Sequence, residues 1–156
     1  MAKTAMAGKY VVRFTGFTRA DKGSGGRSYN LVGLGTIELK PTSTNPESGT
    51  VSGGHHSTLN PMSGLSDPGD QRDPAIFVYQ NATYTVKDAG PPIQAELTMT
   101  FQKQGEKKPN MSDTFLALQC GVDKFWLISR NPRDTNNQLV DEVVIGEAVK
   151  VNSTTW

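Results

Sequence analysis

His55 and His56, the only histidines of the chain, are the side chains best suited to acid–base or metal chemistry. Successive side chains on a β-strand point to opposite faces, so two adjacent histidines cannot bind one metal ion from a regular strand. The sequence marks no carboxylate partners for either, and no metal site is predicted. One histidine lining an interior as an acid, a base or a ligand donor is one hypothesis, and a surface pair is the other.

Three further kinds of site were considered. The glycine-rich residues 23–26 and 33–35 are not followed by Lys-Ser or Lys-Thr and begin no helix, so phosphate binding is not indicated. A Gly-x-Ser-x-Gly nucleophile elbow is absent from the sequence. The single cysteine, Cys120, has apolar neighbours and no base nearby in the sequence, which predicts a small buried or half-buried side chain rather than a nucleophile. No catalytic residue and no cofactor are assigned.

Length and charge limit the classes of protein. At 156 residues the chain is long enough for one domain whose core needs no disulfides. Sixteen Lys and Arg against fifteen Asp and Glu leave a net charge of +1, unlike the basic surface of a nucleic-acid-binding protein. No run approaches the roughly 18 apolar residues of a membrane helix.

The first seven residues are expected to be a disordered tail or an expression remnant. They contain no apolar core of a signal peptide. A cytoplasmic location is therefore expected by default, and a mature exported form is left open.

The clearest structural signal is the alternation of apolar and polar residues between positions 93 and 102. The apolar members are Ile93, Ala95, Leu97, Met99 and Phe101. On a β-strand these side chains share one face, and a register shift of one residue would expose them all to water. The pattern predicts an antiparallel sheet with these five side chains in its core.

Seven further segments are predicted as strands, which makes eight, the usual number for a small closed barrel. They are residues 8–17, 28–40, 49–58, 74–87, 114–120, 124–129 and 139–151. Gln80-Asn81 marks either a bulge in one long strand or a break between two. The last segment also has helical spacing, but its β-branched residues and Gly146 favour a strand. Residues 60–73, rich in Pro and Gly, are predicted to form the most mobile internal loop near a barrel mouth, either idle or ligand-binding.

The hairpin from Phe115 to Pro132 resembles the last hairpin of the lipocalins, and Gly8-Lys9-Tyr10 stands where that family has Gly-x-Trp. The resemblance, shared with small uncharacterised bacterial lipocalin-like domains, implies an all-β, eight-stranded antiparallel up-and-down barrel of the calycin type. It also implies that Arg130 packs over the ring of Tyr10 and closes one end of the barrel.

A barrel of this kind predicts binding of a small, largely apolar molecule in its interior. The candidate wall residues are Phe14, Tyr84, Met99, Phe101 and Trp126, and plain core packing is the alternative for each.

Two other functions were considered. One is a cyclase or isomerase acting on an apolar substrate in the same barrel, with His55, His56, Tyr79 or Glu96 as acid–base groups. The other is a protein-interaction module without an interior ligand. The oligomeric state does not follow from the sequence.

Overall fold

The computed structural model describes residues 6–19, 28–61 and 75–151. Within these ranges the strands are β1 (Gly8–Arg19), β2 (Ser28–Pro41), β3 (Ser48–Pro61), β4 (Ala75–Asp88), β5 (Gln94–Lys103), β6 (Met111–Gly121), β7 (Lys124–Ser129), β8 (Arg133–Asp134) and β9 (Glu142–Lys150). The eight long strands pair antiparallel in the order β1-β2-β3-β4-β5-β6-β7-β9, and β9 pairs back to β1. The predicted up-and-down barrel is confirmed. The short β8, which pairs with the start of β6, is not among the predicted strands.

Alternation along β5 separates the interior from the surface. Ile93, just before the strand, and Ala95, Leu97, Met99 and Phe101 are all at most 8% exposed. Gln94 and Thr98, between them, are exposed. The predicted face and register are therefore confirmed, since a slip of one residue would reverse both sets.

β4 is one long strand with a bulge at Gln80-Asn81, and not two strands with a break between them. Its pairing with β5 shifts by one residue between Gln80 and Thr83, and Asn81 has a φ of 47°. Asparagine tolerates this left-handed conformation better than most residues. The bulge allows Tyr79 and Ala82, two positions that simple alternation would place on opposite faces, to be buried together.

The final segment is a strand, as predicted, with apolar residues on both faces. Val144 and Ala148 face inward and are buried, whereas Val143, Ile145 and Val149 face outward and are exposed. The outer face of β9 is thus unusually apolar.

The two ends of the barrel differ in their connections. At the lower end, where β1 begins, residues 42–47, 89–93 and 122–123 make short links between strands. Met6 is 2% exposed there, and its carbonyl accepts a 2.7 Å hydrogen bond from the Tyr10 hydroxyl. The sequence predicts a disordered tail that includes Met6, but the Met6 side chain is packed against the barrel core. Residues 1–5 lie outside the described part.

The upper end carries the connections after β1, β3, β5 and β7. Residues 20–27 and 62–74 lie outside the described residues, and with them most of the predicted loop 60–73. Its first two residues, Asn60 and Pro61, belong to β3. The described ranges contain no helix that could cross a membrane.

Candidate functional site

The lower half of the barrel is filled by side chains. A cavity of about 10 Å³ is lined by residues that we call the lower core: Met6, Tyr10, Ile37, Leu39, Leu97, Ala117, Phe125, Leu127 and Ala148. A space of this size holds a single water molecule at most. The lower core therefore has no room for a ligand.

Above the lower core, aromatic rings surround His55 in what we call the His55 cluster. Its members are Phe14, His55, Phe77, Tyr79, Phe101 and Phe115. The His55 ring stacks on Phe77 at a centroid distance of 5.2 Å and lies 5.6 Å from Phe14. It lies 5.7 Å from both Tyr79 and Phe101. Edge-to-face and stacked pairs at these distances are favourable beyond the burial of their area.

His55 carries a polar function in this apolar setting. Burial, with a smaller effect of the neighbouring His56, lowers the pKa of His55 to about 4, so the ring is neutral at pH 7. Its Nδ1 lies 3.2 Å from the Tyr79 hydroxyl, whose pKa is raised by burial. The direction of this hydrogen bond depends on the histidine tautomer. With the Tyr79 hydroxyl as the donor, Nδ1 accepts and the ring proton of His55 lies on Nε2, which can then donate to another group.

Glycines make room for the rings of the cluster. Phe14 on β1 lies opposite Gly33 on β2 and Gly146 on β9. A Cβ atom at Gly146 would lie 2.7 Å from a ring carbon of Phe14. Gly33 and Gly146, which have no side chain, thus provide a flat wall against which the Phe14 ring can lie.

Two acidic side chains lie nearer the upper end, and we call them the mouth acids, Asp113 and Glu142. Asp113 is 2% exposed and accepts hydrogen bonds from the Ser129 hydroxyl at 2.5 Å and from the Asn131 amide at 2.9 Å. Burial raises the pKa of Asp113 despite these bonds. Burial also raises the pKa of Glu142 to about 7, with a further contribution from the charge of Asp113 and an opposing one from a Thr18 hydrogen bond.

Sequence reasoning missed both mouth acids. Asp113 lies two and four positions before the buried Phe115 and Ala117, so the alternation of β6 already places it on the inner face. Glu142 likewise shares the inward face of Val144. An acidic residue on the apolar face of a predicted strand was the available signal.

The predicted wall residues fall into three groups. Phe14 and Phe101 belong to the His55 cluster, and Met99 is fully buried in the core of the barrel. Tyr84 is buried, but its hydroxyl has no hydrogen-bond partner among the described residues. Trp126 was placed on the wrong face: it is 43% exposed on the outside, because Phe125 and Leu127 take the inward positions of β7.

The predicted contact between Tyr10 and Arg130 is also wrong. Tyr10 is buried at the lower end, where its ring meets Phe125 edge-on at 5.9 Å. Arg130 follows β7 at the upper end and lies on the outer surface, where its guanidinium bonds Glu96 at 2.6 Å. The antiparallel pairing of β7, β9 and β1 places the two residues at opposite ends of the barrel.

The other residues considered for chemistry lie outside. His56 is exposed on the outer face of β3, and Cys120, predicted to be buried or half-buried, is exposed. Glu96 faces outward in ion pairs with Lys87 and Arg130. Of the acid–base candidates, only His55 and Tyr79 face the interior. No group of three His, Cys, Asp or Glu side chains in the described ranges could hold a metal ion.

No protein-family model matches the sequence, and no curated protein matches it. The structure is similar to designed β-barrels. A redesigned β-barrel, b11L5F_LGL, gives a TM-score of 0.52 at 15% identity, over 97% of this chain and 96% of that one. EF1p2_mFAP2b bound to DFHBI gives a TM-score of 0.56 at 14% identity, over 96% of this chain and 97% of that one. At these identities the likeness shows that the chain shares their barrel fold.

Proposed function

We propose that this protein binds one small, planar, largely apolar molecule in the upper half of its barrel, against the His55 cluster. The observation that carries the proposal is His55 itself. His55 is half-buried. Aromatic rings surround it on the interior side, one ring nitrogen bonds Tyr79, and the neutral ring leaves its second nitrogen for a ligand.

The chemistry of the cluster favours a particular class of ligand. Rings of Phe14, Phe77 and Phe101 offer apolar faces and edges to a flat molecule. An Nε2–H group of His55 can donate a hydrogen bond to a ligand, which favours a molecule with a carbonyl, ether or phenolic oxygen. Small-molecule sites commonly combine such an apolar lining with a few polar groups that fix orientation.

The fold supports the proposal by analogy. One barrel with which this chain shares its fold is described as bound to DFHBI, a small molecule. Function depends on the site rather than on the fold, so the analogy supports the class of function and leaves the ligand open. The lipocalin-like relationship has no support from Tyr10 and Arg130, and the proposal rests on the barrel and its His55 cluster.

The test compares two adjacent histidines that face opposite ways. Protein purified from its own host is measured by native mass spectrometry for a retained small molecule, and purified protein is titrated with DFHBI as a planar probe. We expect His55→Phe to weaken binding about fivefold, since one net hydrogen bond contributes roughly 1 kcal/mol. The matched control, His56→Phe on the outer face, leaves binding unchanged. Absence of a retained molecule together with identical DFHBI titrations for all three proteins would contradict the proposal.

A second candidate function is acid–base catalysis on an apolar molecule held at the same end. Glu142 is the specific observation, because its pKa of about 7 suits proton transfer near neutral pH. The variant Glu142→Gln separates the two functions. It abolishes turnover of the retained molecule if Glu142 is catalytic, and it leaves that molecule bound and unchanged if the barrel only binds.

A further inference from the structure

The outer surface of the barrel is apolar on one side. Of the thirteen large apolar residues that are exposed among the described residues, ten face outward from the neighbouring strands β2, β1, β9, β7 and β6. We call these ten residues the apolar face: Val11, Phe17, Val32, Leu34, Leu118, Trp126, Ile128, Val143, Ile145 and Val149.

Strand register makes these residues contiguous. One row across the five strands consists of Val32, Thr15, Ile145, Ile128 and Leu116. The next row consists of Leu34, Arg13, Glu147, Trp126 and Leu118. Outward side chains in adjacent rows and strands are close neighbours, so the ten residues form one patch, interrupted by Thr15, Arg13 and Glu147, rather than scattered exposures.

The opposite side of the barrel shows that this patch is not a general property of the surface. On the outer faces of β3, β4 and β5, Ile76 is the one large apolar side chain exposed in the described part of the chain. Polar residues such as Ser52, Thr83 and Thr98 occupy that side. A solvated outer face of an antiparallel sheet is expected to be polar, as this side is.

The charges at the centre of the apolar face are paired with one another. Glu147, at its centre, pairs with Arg13 at 2.6 Å and with Lys124. The hydrogen bond from Lys124 and the charges of both cations hold the pKa of Glu147 below its usual value, against the opposing effect of burial. These three charges sum to only +1, so they offer no strong cluster of one sign to a highly charged partner.

The exposed area is of the size that a stable dimer buries. The ten side chains are 38–61% exposed. At about 180 Å² for a large residue, within the range for aromatic side chains, they expose about 800 Å² in total. A standard interface buries about 800 Å² on each partner, and monomers rarely expose an apolar patch beyond about 300–600 Å².

We propose that the apolar face is the interface of a homodimer and is covered by a second copy of this chain. The centre of the face is self-complementary: with a two-fold axis along β9, Arg13 on β1 of one copy lies opposite Trp126 on β7 of the other. An arginine over an indole ring is a favourable cation–π pair. Closed two-fold dimers use the same patch on both copies, which matches a nearly neutral, apolar face.

Sedimentation equilibrium of the full chain tests the proposal. We expect twice the chain mass of 16.9 kDa. Ile145→Lys, at the centre of the face, should halve that mass, whereas the matched control Ile76→Lys on the polar side should leave the dimer intact. Circular dichroism checks that both variants fold. Interfaces of standard area have dissociation constants of about 1 µM or below. Wild-type protein that sediments as a monomer at about 100 µM would therefore overturn the proposal.

Hydroxyl-radical footprinting of the unmodified protein provides a second measurement that does not depend on a variant folding. Side chains of the apolar face, Trp126 and Leu34 among them, should be protected in concentrated samples relative to dilute ones, with Ile76 equally reactive in both. Equal reactivity of Trp126 at both concentrations would overturn the proposal. So would binding of the monomer to phosphatidylcholine vesicles that is lost in Ile145→Lys, because the face would then cover lipid.

Discussion

The lower and upper halves of this barrel are built from the same eight strands but carry different chemistry. The lower core is apolar and closely packed, and Met6 covers its end. The upper half contains His55, Tyr79 and the mouth acids in or beside the interior. Burying polar groups costs free energy unless they are hydrogen-bonded. The lower half is therefore expected to contribute most of the stability, whereas the upper half bears the cost of holding buried polar groups, which we propose serve ligand binding.

The largest expected loss of stability comes from a substitution in the lower half. Leu97→Ala removes a fully buried side chain that lines the existing cavity, and it should lower the free energy of unfolding by about 2–5 kcal/mol. DFHBI binding at the upper end should change little. Urea denaturation measures the first quantity and dye titration the second. The control is Thr98→Ala, the neighbouring outward residue, which should stay within about 0.5 kcal/mol. A loss below that value for Leu97→Ala would mean that β5 is not a core strand.

The second prediction concerns the pH dependence of folding stability, which the titratable groups of the upper half should dominate. Glu142 has a pKa of about 7 in the folded protein against its usual 4.5, so the folded state binds more protons between these values. Stability from this group is therefore present below about pH 4.5 and is lost as pH rises to 7. His55 acts in the opposite sense: its pKa is about 4 against a usual 6.5, so stability is lost as pH falls from 6.5 to 4.

Glu142→Gln should remove the loss at high pH. We expect a gain of about 3 kcal/mol at pH 8, from the difference between a pKa of 4.5 and one of about 7. The pH profile should then rise from pH 4 to 6.5 and stay level above, as His55 alone requires. Denaturant midpoints across pH 4–8 measure it. An unchanged profile would show that Glu142 is solvated, and that the upper half does not differ electrostatically from the lower.

The third prediction concerns the wall of the His55 cluster. Gly146→Ala should cost about 1–3 kcal/mol, because its Cβ would lie 2.7 Å from the Phe14 ring and force the ring to move. Gly33→Ala, on the other side of the same ring, meets no atom closer than 3.4 Å and should stay within about 0.5 kcal/mol. Thermal unfolding and DFHBI titration measure both variants. Equal effects of the two substitutions would argue against the described position of Phe14.

The smallest effects come from two tyrosine hydroxyls, one in each half. Tyr84→Phe removes a buried hydroxyl that has no partner among the described residues, so stability should be unchanged or rise by up to about 1 kcal/mol. Tyr79→Phe removes the donor to His55 and should lower stability by about 1 kcal/mol. Urea midpoints of the two variants should therefore move in opposite directions or differ clearly. A larger loss for Tyr84→Phe would reverse the comparison.

Much of the barrel followed from the sequence because strand periodicity is a local property. The alternation from Ile93 to Phe101 predicted both the strand and its buried face, since its other face is polar throughout. The eight predicted strand segments have limits close to those of the eight long strands observed, and their number predicted a closed barrel. The sequence also showed that His55 and His56 face opposite ways.

The tertiary structure alone decided which face of an ambiguous strand lies inside. In β7 and β9 apolar residues occupy both faces, so alternation cannot say whether Trp126 or Leu127, or Ile145 or Val144, is buried. The neighbours that barrel closure brings together make that choice: Phe14 takes the space that glycines on β2 and β9 leave free. The same closure placed His55 among aromatic rings and Arg130 far from Tyr10. A motif read along the chain records which residues are near in sequence, whereas strand direction and register determine which of them meet.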